Sequence, residues 1–164
     1  MIRTLDFNAF SAGTIIDDEY ADLGVTVSAS GGSGDAMIFD SSNPTGGDSD
    51  LASDTLEGLL IVSEDGDQSD PDDNAGGGSL FFDFDDMVLM KGVTFKDIEE
   101  TGGEGTRVIF YDDNGDVIQN HYVQPTGDGG ERFVQFNIDG VSRFEVRFEG
   151  SGAIDNLVFD DGQP

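Results

Sequence analysis

Cysteine and tryptophan are absent, histidine occurs once, and lysine and arginine together number seven in 164 residues. Each shortage removes a class of chemistry. Without Cys there are no disulfides and no thiolate metal sites. Nucleophilic triads need a placed His, and His121 lies in QNHYV, which reads as an exposed strand. No GxSxG, HExxH or Lys-bearing phosphate loop occurs. Two carboxylates suffice for glycoside hydrolysis, but among 35 acids such a pair carries no information. The chain is therefore expected not to be an enzyme. Seven bases against 35 acids leave a formal charge of −28. That field repels phosphate, which excludes nucleic acid and anionic membrane surfaces as partners. No apolar run approaches a membrane span, so membrane insertion is not expected. The start, MIRTLDF, has no signal-peptide apolar core, so an exported chain is expected to have lost its leader.

What is present is apolar and periodic. Thirteen Phe and runs such as LLIV (59–62) and SLFF (79–82) supply core for one domain spanning residues 1–164. In VSRFEVRFEG (141–150), Phe144, Val146 and Phe148 alternate with Arg143, Glu145, Arg147 and Glu149, the pattern of a half-buried strand. Similar runs are RTLDF, GVTVSA, AMIFD, GLLIVS, SLFFDF, VLMKGVTFKDI, RVIFYD, DVIQNHYV, RFVQFNI and AIDNLVF. Asp113-Asn114-Gly115-Asp116 between two of them signals a hairpin. No amphipathic helix is evident; DDEYADL (17–23) suits a single turn. About ten short strands without intervening helices predict an all-β fold, an antiparallel β-sandwich or jelly roll.

Two long loops, 40–57 and 64–78, hold the strongest concentration of charge. EDGDQSDPDDN (64–74) has six carboxylates in eleven positions, and no Lys or Arg lies between Asp40 and Asn74. Ca2+ takes six to eight oxygens, which acidic loops provide. The first loop offers Asp40, Asp48 and Asp50; the second offers Glu64, Asp65, Asp67, Asp70, Asp72 and Asp73. Neither matches the EF-hand spacing, and GGSGDAMIF (31–39) is one residue short of a calcium nonapeptide. Solvated halophilic charge is the competing account. It would spread acids over strand faces, whereas the strands 107–111 and 132–149 carry Arg and mixed charge. If GLLIVS pairs normally, the loops leave its opposite ends and form two cation sites, unless one loop folds back along the sheet.

A third candidate joins the chain ends. Asp6 lies in the first strand and Asp155 in the last, and terminal strands of jelly rolls often lie side by side. A cation held there, with help from Asp17 or Asp18, would pin the sandwich. The alternative is that Asp155-Asn156 makes only a turn or strand-edge contact.

The opening DFNAFSAGTIIDDEYADLGVTVSAS resembles the start of secreted β-sandwich domains of marine bacterial surface proteins. The ending GSGAIDNLVFDD is similar to the close of those domains and of galactose-binding-like carbohydrate-binding modules. The resemblance implies an extracellular or cell-surface, calcium-dependent jelly roll, with Asp6 and Asp155 matching a structural calcium site. It also implies polysaccharide as a ligand. Sugar rings stack on flat exposed aromatics, and without Trp a sugar site needs either calcium itself to take the hydroxyls or Tyr111 and Tyr122 near the hairpin. The expectation is a non-catalytic, calcium-binding, carbohydrate-binding module. The alternative is a calcium-dependent adhesion or filament subunit whose loops bridge neighbouring subunits.

Overall fold

Alternation decides where this chain becomes sheet. A computed structural model describes residues 1–100 and 102–164. Among them lie nine strands: β1 (Ile2–Leu5), β2 (Val25–Ser30), β3 (Ala36–Asp40), β4 (Gly58–Val62), β5 (Gly78–Lys96), β6 (Arg107–Tyr111), β7 (Val117–Tyr122), β8 (Glu131–Phe148) and β9 (Ala153–Asp160). Every pairing is antiparallel. Hydrogen bonds run in the order β3-β4-β9-β5-β8-β6-β7, with β1 also on β9 and β2 on β5.

The expected all-β sandwich is present, with fewer and longer strands. SLFFDF and VLMKGVTFKDI merge into β5; RFVQFNI and VSRFEVRFEG merge into β8. Both bend where they were expected to break. In β5 the register shifts between Asp83 and Val88, and Asp85, Asp86 and Met87 are exposed there. In β8 the left-handed residues Asn137 (φ 58°) and Gly140 (φ 74°) fall between paired positions, as bulges require. Bulges add twist and let one strand serve two layers. The first half of β5 pairs with β2 and its second half with β9, so the sheet folds over on itself. Between the layers lie Phe7, Phe82, Phe95, Phe110, Phe144 and Phe159, all fully buried. The Phe content is mostly core, each side chain contributing roughly 2–3 kcal/mol on burial.

β4 is buried at every position, which a one-faced strand would not be. A second cluster explains it: Met37, Phe39, Leu59 and Ile61 on the far side of β3–β4 are covered by Leu51 and Leu56. Leu51 belongs to a 3-10 turn, Ser49–Leu51, inside the first acidic loop. Burying it folds that loop back along the sheet. The other 3-10 turn, Ala21–Leu23, is the single turn expected from DDEYADL. Asp113-Asn114-Gly115 turns β6 into β7, with the Asp112 carboxylate accepting the N–H groups of Asn114 and Asp116 at 2.9 Å each.

Candidate binding sites

The folded-back loop meets the second acidic loop, so the opposite-ends arrangement does not form. Thr45 Oγ1 donates to the Pro71 carbonyl at 2.6 Å, and the Gly46 N–H donates to Asp70 Oδ1 at 2.8 Å. The Asp73 N–H donates to Asp48 Oδ2 at 2.8 Å. The approach is close enough to require glycine at 46: a Cβ there would fall 2.1 Å from Asp72 Cβ.

The acids divide by job. Asp40 Oδ1 accepts the Ser42 N–H, Asp65 Oδ1 the Asp67 N–H, and Asp67 Oδ1 both the N–H and hydroxyl of Ser69. Each of these closes a local turn. Those Ser69 bonds hold the exposed Asp67 carboxyl below its ordinary value. Asp72 and Asp73 instead turn to different neighbours, Asp72 to Asp65 and Glu64, Asp73 to Asp50 and Asp97, with Asp48 near both. Burial, then the Asp65, Glu64 and Asp48 charges, push Asp72 up to about 6. Burial, then Asp48, push Asp73 up to about 7, although its Oδ2 accepts the Gly152 N–H at 2.7 Å. Asp72 Oδ1 is buried without a hydrogen-bond partner. Asp50 is grouped instead with Asp97, Glu99 and Asp128, three acids that the sequence reading passed over. Among the described residues, no salt bridge reaches residues 40–78.

At the chain ends, β1 does lie beside β9, with Leu5 opposite Leu157. Asp155 is buried, and burial followed by the charges of Asp6 and Glu57 raises it to about 7. Its two oxygens accept the N–H and side-chain amide of Asn156, within a strand that is paired to β4 and β1 on one side and to β5 on the other. Asp17 and Asp18 form their own exposed group with Glu19.

The two tyrosines differ. The Tyr111 hydroxyl donates to Glu145 Oε1 at 2.6 Å and so is committed within the sheet. Tyr122 is 41% exposed and its ring packs over Gly105, where any Cβ would fall 2.2 Å from the ring. It lines a groove of about 500 Å3 between β7 and the first half of β8. The groove exists because β6 pairs with β8 only over residues 143–147, leaving the edge of β8 open before its bend. Val108, Val134 and Phe136 are apolar lining; Gln119, His121, Gln124, Arg132, Gln135 and Asn137 bring polar groups. Phe110 sits edge-on to both Phe136 and His121, with centroids 5.1 and 6.1 Å away. Rings for C–H faces and amides for hydroxyls are what a sugar needs, and such a concave, mixed surface is the usual form of a ligand site. Except for Tyr122, and for His121, which was considered only as a base and set aside, none of these residues was picked out in the sequence.

No protein-family model and no curated protein matches the chain. Among solved structures it is similar to a Streptococcus pneumoniae fucose-binding module, with 22% identity and a TM-score of 0.34. That likeness covers 54% of this chain and 66%, just under two thirds, of the module. Another structure of a fucose-binding module from the same organism aligns over 100% of this chain and 94% of its own, with 10% identity and a TM-score of 0.36.

Proposed function

We propose that this chain is a non-catalytic β-sandwich module that binds carbohydrate in the β7–β8 groove, carries Ca2+ in its acidic loops and works outside the cell. The likenesses to fucose-binding modules are too slight to carry the reading; the groove carries it. It combines aromatic and apolar lining with several side-chain amides and a guanidinium. Calcium is supported by two acidic loops held against each other with no cationic side chain among them. Oxygen-only ligands select a hard cation. A glycan array probed with the protein in Ca2+ tests the reading. Binding to a defined polysaccharide class, reduced in Tyr122→Ala, supports it; silence across algal, bacterial and animal glycans overturns it.

A second reading, a calcium-dependent adhesion or filament subunit, draws on the edge strand β7. All six of its residues are exposed, Val117 and Ile118 among them, and its outer edge has no partner among the described residues. Such an edge can accept a strand from another copy. Light scattering on adding Ca2+ separates the two, since only a subunit that assembles gains mass.

A further inference from the structure

Asp97, at the end of β5, is fully buried, yet no positive charge reaches it. Its Oδ1 accepts the Gly129 N–H at 2.8 Å, and its Oδ2 is buried with no hydrogen-bond partner. An ionised carboxylate left half bare in this way costs several kcal/mol unless something else meets it. The adjacent Lys96 does not: its Nζ donates to the Gly129 carbonyl at 2.6 Å and lies 3.6 Å from Glu131. What surrounds Asp97 is more negative charge. One oxygen each from Asp50, Asp97, Glu99 and Asp128 lie within 4.8 Å of one another.

We propose that these four carboxylates hold one Ca2+, which fixes the wall of the groove beside them. Oxygens on opposite sides of a single Ca2+ are about 4.6–5.2 Å apart, twice the usual ligand distance, so the spacing suits one ion. The set contains no nitrogen or sulfur, and Glu99 and Asp128 are exposed, which leaves room for the waters that complete six to eight ligands. Three segments converge: the 3-10 turn Ser49–Leu51, the end of β5, and the loop carrying Asp128. The last two are already zipped. The Asp97 N–H donates to the Gly130 carbonyl at 2.8 Å, and the Thr126 N–H to the Ile98 carbonyl at 2.8 Å. The same loop leads from Val123 and Gln124 to Arg132, all on the groove, and the Arg132 guanidinium returns to the Gln124 and Pro125 carbonyls. An ion binding Asp128 to Asp97 therefore immobilises that wall. Only this last step rests on the carbohydrate reading; the ion site stands without it.

The experiment is calorimetric titration of the chelator-treated, sugar-free protein with CaCl2, with hydrogen exchange followed in parallel. Wild type is expected to lose one bound ion, or at least about tenfold in the affinity of one ion, on Glu99→Gln with Asp128→Asn. Both positions are exposed, so folding is not at issue. Asp97→Asn should also lose that ion while melting higher than wild type in chelator, because it removes the uncompensated buried charge yet keeps the oxygen that accepts from Gly129. Ca2+ should slow exchange across residues 123–132. Unchanged stoichiometry and affinity in both variants, or no Ca2+ uptake by wild type, overturns the site. Unchanged exchange across 123–132 overturns its action on the groove. A protein that takes up the ion but binds no glycan leaves the site standing and removes only the carbohydrate function.

Discussion

Asp48 accepts the backbone N–H of Asp73 at 2.8 Å, and Asp73 in turn accepts that of Gly152. Two buried-side carboxylates thus serve as structural acceptors that tie the first acidic loop to the second and the second to the turn before β9. Burial raises both above their ordinary values, and like charge adds to it, from Asp50, Glu64 and Asp70 at Asp48 and from Asp48 at Asp73.

Calcium should relieve that repulsion and stabilise the fold. At a concentration about 100 times its Kd an ion adds about 2.7 kcal/mol, or about 5–10 °C in Tm for a domain of this size. Thermal melts in Ca2+ and in chelator at low salt measure the shift. A shift below about one degree would leave the acids as solvated charge.

Loop acids and turn acids should respond differently. Asp48→Ala with Asp50→Ala is expected to weaken Ca2+ binding, whereas Asp112→Ala with Asp113→Ala is not. Asp112 closes the β6–β7 turn through two N–H bonds, so its loss should cost about 1 kcal/mol of stability at unchanged Ca2+ affinity. Titration and melting of the two double variants separate these effects, and equal losses of affinity would contradict the assignment.

Tyr111 and Tyr122 should separate in the same manner. Tyr111→Phe removes a hydroxyl bonded to buried Glu145 and should cost about 1–2 kcal/mol in stability with glycan binding intact. Tyr122→Ala should leave Tm nearly unchanged and lower glycan affinity by about tenfold. The two variants need only a melt and a binding isotherm each.

Glu145 sets the acid limit of this part of the sheet. Burial raises its pKa, but hydrogen bonds from Arg147, Tyr111 and Ser79 outweigh burial and hold the carboxyl below its ordinary value. A depressed carboxylate contributes stability above its unfolded value, and that contribution is lost as pH falls through the folded one. Glu145→Gln should therefore destabilise by about 2 kcal/mol at pH 7, with the difference from wild type narrowing below about pH 4. Denaturant titrations at pH 7 and pH 3 check the sign.

The strand content, the 113–115 hairpin and the single turn within DDEYADL were legible because each depends on neighbours within a few residues. Joining SLFFDF to VLMKGVTFKDI was not. The exposed Asp85-Asp86-Met87 reads as a loop, and the pairing of β5 with β8 on both sides of the bend, with β2 and β9 each on one side, keeps it in one strand. The meeting of the acidic loops was hidden in one residue. Leu51 looks like an incidental apolar position in a polar stretch, yet its burial against Met37, Phe39 and Ile61 turns the whole loop back.

By itself, the sequence determined an all-β, Phe-filled domain whose negative charge is gathered in loops and not balanced by its seven bases. Periodicity, turn chemistry and charge are local properties, so they survive without coordinates. Tertiary structure alone decided which carboxylates share a site and where a groove opens. Asp50, Asp97, Glu99 and Asp128 come from three separated segments, and the groove comes from the parting of β6 from β8 at a pair of bulges. Both depend on bends and registers set by the packing of the whole sheet, which no short stretch of this chain encodes.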